Sequence, residues 1–122
     1  MEEFLDTEQG LSFVDGDKDL YKFLLDAYVE ENKFEPAELK RLLEQKAFEA
    51  AAKIVHKTKG ASYQIGAKKI GDMAQVLEDI LRGKSEPPAS ARSAQELSAL
   101  ADDFCAAYQK CLEEVKAATR EL

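Results

Sequence analysis

A run near the middle of the chain, Val55-His56-Lys57-Thr58-Lys59-Gly60-Ala61-Ser62-Tyr63-Gln64-Ile65-Gly66, holds the side chain best suited to chemistry: His56, the one histidine of the sequence. Neutral imidazole is nucleophilic near pH 7 and needs little activation. Its two nitrogens divide the work, one attacking while the other donates a hydrogen bond that fixes the tautomer. In a helix, positions i, i+3, i+4 and i+7 share a face. His56, Lys59, Gly60 and Tyr63 then align, and Glu49, Ala52 and Lys53 extend the strip toward the N-terminus. An imidazole among lysines, beside a residue with no side chain, suggests a nucleophile that a large partner must reach. Glycine inside a helix costs about 1 kcal/mol relative to alanine, so Gly60 needs a compensating reason. Close approach of a partner supplies one; crowding by a neighbouring helix would serve as well.

Other chemistries lack their residues. With one histidine, two cysteines and no Cys-x-x-Cys, a zinc site has almost nothing to work with. Cys105 and Cys111 lie six apart in one expected helix, so they point to different faces and cannot bridge. The Glu-x-x-His spacing of metal-binding bundles is missing, because Lys53 stands three residues before His56. A net charge of −7 argues against nucleic acid, which calls for a basic stripe. No apolar run approaches the roughly 18 residues needed to cross a bilayer, and no helix carries a strongly basic face for a membrane surface. Met1-Glu2-Glu3-Phe4 has neither the basic nor the apolar region of a signal peptide. The expectation is a cytoplasmic protein.

The frame around His56 reads as helices throughout. At 122 residues the chain is one domain, 1–122, with 45% hydrophobic and 34% charged residues, an ordinary globular balance. Asp6 can cap a short leader through about Phe13, and Asp17 opens a helix from Lys18 to about Glu30. In that helix Leu20, Phe23, Leu24, Ala27 and Tyr28 follow the core-facing pattern. Pro36 suits the first position of the next helix, whose core side is Leu39, Leu42 and Leu43. Phe48 begins the central helix, with Phe48, Ala51, Val55, Thr58, Ser62 and Ile65 as its buried stripe. His56 falls roughly 120° from the middle of that stripe, at the edge of the bundle. Gly66 marks a corner before a helix over 67–82, with Ile70, Met73, Ala74, Leu77 and Leu81 inward and Gly83 as the stop. A linker over 84–90 precedes Ser93-Ala94-Gln95-Glu96, the form of a capping box, and a last helix over about 93–120. The remaining Phe and Tyr positions and Met73 read as core. The expected product is an all-α antiparallel four-helix bundle with a short N-terminal leader helix.

At this point the motif can be matched. His56-x-x-Lys59-Gly60 followed by Ile65-Gly66-Ala67 resembles the signature of histidine-containing phosphotransfer (HPt) domains. Gly16-Asp17-x-x-Leu20-Tyr21-x-x-Leu24-Leu25 upstream and Leu77-Glu78 downstream resemble the flanking helices, so the likeness spans about residues 10–82. It implies a relay step in two-component signalling, with His56 accepting a phosphoryl group from a receiver-domain aspartate or a kinase and passing it to another receiver. Carried over, Lys59 lies beside the phosphoryl group, Gly60 leaves room for the receiver, and Glu78 orients the imidazole. A fold-back at about residues 66–67 independently places the mirror of His56 near 77–78. Ala52, Lys53, Lys57, Gly60 and Tyr63 form the expected docking rim, and Lys53, Lys57, Lys68 and Lys69 make the neighbourhood basic, suited to an acidic receiver pocket.

The implied partners are response-regulator receiver domains, a hybrid sensor histidine kinase, or both. The chain is expected to be a monomer with no metal or cofactor of its own, and Mg²⁺ is expected to arrive with the receiver's aspartate. It is read as a phosphocarrier without autonomous turnover, not an enzyme; Met1 and the capped last helix lean toward a free-standing protein, with an excised module of a hybrid kinase left open. Two positions depart from the family pattern: Thr58 stands where a buried leucine is usual, suggesting looser packing, and Tyr63 where a small residue is common. These two give weight to an alternative, a helical adaptor that kept the fold and binds without phosphotransfer. The phosphoacceptor domain of chemotaxis kinases is similar as well.

Overall fold

The computed structural model describes residues 3–32 and 34–122; Met1 and Glu2, on which part of the N-terminal reading rests, lie outside the described residues, as does Lys33. Six α-helices follow one another: α1 (Thr7–Ser12), α2 (Lys18–Glu31), α3 (Pro36–Glu44), α4 (Phe48–Gln64), α5 (Lys68–Leu81) and α6 (Ala94–Glu121), with a 3₁₀ turn at Ala89–Ala91 before the last. Among the described residues there is no strand. Local chemistry sets the starts. Asp6, Asp17 and Ser93 each accept a hydrogen bond from the backbone N–H three residues on, and Pro36 opens α3.

Four of the stops share one geometry, that of α1 at Asp15 with φ +53° among them. In α4 the Gly66 N–H donates to Tyr63 O and the Ala67 N–H to Ser62 O, with Gly66 at φ +87°. Gly83 does the same for α5 at φ +75°, and Lys46 for α3 at φ +58°. This is the Schellman ending, in which a left-handed residue satisfies the last carbonyls and reverses the chain. The corner after α4 is so short that α5 must fold straight back along it.

α2 and α3 run in sequence along α6, antiparallel to it. Tyr28 packs on Tyr108 with ring centroids 5.9 Å apart, Phe34 on Phe104 at 5.5 Å, and Lys40 pairs with Asp102. They therefore occupy one strut of the bundle, interrupted between the end of α2 at Glu31 and the start of α3 at Pro36, and α4, α5 and α6 are the other three.

The buried face of α2 differs from the expected stripe. Tyr28 is buried as expected, but Leu20 is 45% and Phe23 64% exposed, and Tyr21 and Leu25 face the core in their place. The helix carries two apolar stripes, and the one with hydrogen-bond partners for its tyrosines turns inward. Tyr21 Oη donates to Ile65 O at 2.7 Å, and Tyr28 Oη lies 2.9 Å from Ser62 Oγ. Phe13, also expected in the core, is 57% exposed. Thr58 is not loosely packed. It is 1% exposed, its hydroxyl donates to Ile54 O at 3.3 Å, and Asn32 Nδ2 reaches it from α2 at 3.4 Å.

Candidate functional site

The α4–α5 hairpin builds the site by bringing positions equally far from its corner face to face. His56 projects from α4 with 60% of its side chain exposed, and Glu78 rises from α5 with 7% exposed. His56 Nδ1 lies 3.0 Å from Glu78 Oε2 and 3.2 Å from Oε1. Two cations complete the carboxylate's shell: Lys59 Nζ stands 2.9 Å from Oε1, and Arg82 Nε donates to Oε2 at 2.9 Å. Burial works to raise the Glu78 pKa, but hydrogen bonds from Lys59, Arg82 and His56 outweigh it and hold the carboxyl at about 2.

An ionised carboxylate only accepts hydrogen bonds. Nδ1 therefore carries the proton, and in the neutral ring Nε2 is the bare nitrogen. Among the described residues no side chain hydrogen-bonds Nε2. The arrangement is a nucleophilic nitrogen at the surface with its tautomer fixed from beneath.

Lys59 takes a different place from the one expected. Its side chain is 17% exposed and its ammonium is turned to the Nδ1 side, held by Glu78 and by Gln75 Oε1 at 2.9 Å. It joins His56 through the carboxylate rather than reaching past the ring. Sequence reasoning missed Arg82 and Gln75. Arg82 also donates through Nη1 to Glu49 at 2.5 Å, tying α5 to α4 two turns before His56, and Gln75 Nε2 passes the chain on to Asp79 at 2.8 Å. Their signal was available, since Gln75, Glu78 and Arg82 share one face of α5.

The surroundings divide clearly. A Cβ built on Gly60 meets nothing within 4 Å, so helix crowding does not explain this glycine, and the surface one turn from His56 stands open. Ala52 is fully buried against the core, so it offers a partner no surface and leaves the docking rim. Tyr63 remains 37% exposed but lies across α5: its ring fills the space over Gly71, where a Cβ would come within 2.4 Å of it, and its hydroxyl donates to Asp72 at 2.7 Å. Burial and that hydrogen bond push its pKa up to about 12. Of the four flanking lysines, Lys68 is neutralised by Asp72 and Lys69 by Glu3. Lys53 and Lys57 are exposed and make no ion pair among the described residues. On the far side of Lys57 a shallow groove lined by Leu24, Ala27, Lys57, Ala61 and Gln64 joins α4 to α2. Its α2 wall continues along the helix into exposed Leu20 and Phe23.

Fold and site together define an all-helical bundle presenting one tautomer-fixed histidine on an open face. The Hpt domain family model matches residues 24–118, and the chain belongs to that family, whose members are phosphotransfer modules of two-component signalling. The match takes in α6, beyond the stretch covered by the sequence motif. No curated protein and no solved structure matches the chain. Among the described residues no helix is long and apolar enough to cross a membrane, and no three His, Cys, Asp or Glu side chains gather as a metal site.

Proposed function

We propose that this Hpt domain is a phosphorelay intermediate with His56 as its phosphoacceptor. Nε2 attacks the phosphorus of a receiver's aspartyl phosphate; the N–P bond forms, the acyl phosphate P–O bond breaks, and the aspartate leaves as a carboxylate. As Nε2 bonds to phosphorus the ring acquires positive charge, shared with Nδ1–H and faced by ionised Glu78. The Nδ1 proton stays in place, so the ring departs as neutral imidazole when the group moves to the next receiver. The chain thus carries the phosphoryl group without turning over alone, and a divalent ion such as Mg²⁺ enters with the receiver's aspartate.

The observation that carries this reading is an exposed Nε2 whose partner nitrogen is tied to a buried carboxylate, beside a glycine with open space above it. Lys53 and Lys57 would steer an acidic receiver pocket toward the ring. The exposed Leu20 and Phe23 and the groove beside them supply apolar contact surface, and Tyr63 forms the opposite rim. Once the phosphoryl group arrives, Lys59 can swing from Gln75 toward it, a charge-assisted contact. The chain is proposed to act as a cytoplasmic monomer between receiver domains or a hybrid kinase. A helical adaptor that kept the fold and binds without phosphotransfer is the second reading; the packing roles of Thr58 and Tyr63, which leave His56 clear, favour the relay.

The test is His56→Gln. Incubated with a phosphorylated receiver, the wild-type chain should acquire an acid-labile, base-stable label and the variant none, with identical helical circular dichroism and melting temperature. A variant that still labels at the wild-type rate would refute the assignment.

A further inference from the structure

The carboxylate beneath His56 raises a problem of its own. A lone buried carboxylate at 3.0 Å from Nδ1 would orient the ring, but it would also favour the imidazolium, and an imidazolium has no lone pair with which to attack. The site meets this with two cations on the same carboxylate, one per oxygen: Lys59 from α4 on Oε1 and Arg82 from α5 on Oε2. Arg82 is held in turn by Glu49, so the group of Glu78, Lys59, Arg82 and Glu49 sums to zero charge. Beside this group stand Lys53 and Lys57 on α4, both exposed, and Asp79 on α5, reached from Lys59 through Gln75.

We propose that Arg82 is a positioning residue for phosphoryl acceptance, one that balances the Glu78 charge so that Glu78 fixes the His56 tautomer without holding the ring in its protonated, non-nucleophilic form. The inference deepens the phosphoacceptor reading and rests on it for its bearing on transfer. Its claim about the ring does not depend on any phosphoryl donor. Arg82 never approaches the reacting nitrogen; it acts through the carboxylate. The side chain sits at the C-terminal end of α5, 23% exposed, where its replacement leaves the helix core untouched.

The experiment follows the ring directly, because a single histidine gives one unambiguous set of imidazole ¹⁵N resonances. Wild type, Arg82→Gln and Arg82→Lys are titrated between pH 5 and 9, and each is labelled with phosphoramidate at pH 7 and pH 8.5. In Arg82→Gln the midpoint of ring protonation should move up by roughly half to one pH unit, since a nearby like charge is gone. Labelling at pH 7 should slow by about 1.5- to threefold, as far as such a shift lowers the neutral fraction of an ordinary imidazole, and recover at pH 8.5, where the ring is neutral again. Arg82→Lys should restore most of both. A merely structural role would slow labelling equally at both pH values and leave the ring titration in place, and that outcome overturns the proposal. So does an Arg82→Gln titration that superimposes on wild type. If the wild-type chain takes no label, the phosphoacceptor reading fails, and the titration still decides what Arg82 does.

Discussion

α4 carries a polar network on each of two faces, and the two are built from different chemistry. Toward α5 lies the charged set of His56, Glu78, Lys59, Arg82 and Glu49, half open to solvent. Toward α2 and α6 lies a neutral, buried layer. Ser62 Oγ donates to Thr58 O at 2.7 Å, which leaves Tyr28 Oη as the donor in its contact with Ser62, while Asn32 Nδ2 donates to Tyr108 Oη at 3.1 Å. Tyr108 anchors this layer, edge-on to Phe34 at 4.9 Å and tilted against Tyr28 at 5.9 Å. A neutral layer sealed from water can hold three helices in register at every physiological pH. A charged set at the rim can instead answer to protons, phosphate and partners. The fold keeps its stability on one side of α4 and its reactivity on the other.

Breaking the neutral side should give the largest change. Tyr108→Ala removes a fully packed aromatic and leaves the Asn32 amide only its longer contact with Thr58, at a cost of roughly 3–5 kcal/mol. Tyr108→Phe keeps the ring and should cost about 1 kcal/mol. Denaturant unfolding measures both. Phosphoryl labelling per folded molecule should be unchanged in either; a slowed rate in the fully folded Tyr108→Phe protein would show that the two faces are coupled.

The charged side should show a smaller effect on stability with a pH signature. Glu78 is held at about 2 in the fold, well below its ordinary 4.5. Its contribution is thus present above about pH 4.5 and is lost as the pH falls toward 2. Glu78→Gln should cost about 1–2 kcal/mol at pH 7, where Lys59 and Arg82 lose their counter-charge, and progressively less in acid. It should also slow labelling, because an amide can donate to Nδ1 as readily as accept from it and so admits the tautomer that protonates Nε2. Equal destabilisation by Glu78→Gln at pH 7 and pH 3 would remove the charge argument.

The same division decides what could be read from the sequence. Helix ends were legible because Asp6, Asp17, Pro36, Ser93, Gly66 and Gly83 act on their own neighbours. The pairing of His56 with Glu78 was legible because a corner at residues 66–67 fixes the register of one hairpin. What failed depends on contacts distant in sequence. Leu20 and Phe23 are as apolar as any core residue, yet Tyr21 and Leu25 are buried in their place, with Tyr21 bonded to the distant Ile65 carbonyl; Tyr28 is buried as expected. Thr58 looks like a defect until Asn32 arrives from another helix. Ala52 shares a helical strip with His56, yet it belongs to the buried core. Arg82 could have been placed on the Glu78 face by its four-residue spacing, but not its reach across to Glu49.

Gly60 offers the finest separation of the two demands, since there they have opposite signs. The residue is helical and exposed, and a methyl group added to it meets nothing within 4 Å. Alanine is the better helix former by about 1 kcal/mol, so Gly60→Ala should stabilise the isolated protein by up to that amount, read as a rise in the denaturation midpoint. The same methyl stands one turn from His56 on the surface a receiver must cover. Labelling by phosphoramidate should therefore stay at the wild-type rate while transfer from a phosphorylated receiver slows, because only the large donor meets the new side chain. A lysine or leucine at this position should deepen the receiver defect in step with its size and still leave the small donor unaffected. Should Gly60→Ala be more stable and equally fast with a receiver, the open space over Gly60 has no bearing on docking, and the receiver approaches His56 from the α2 side alone.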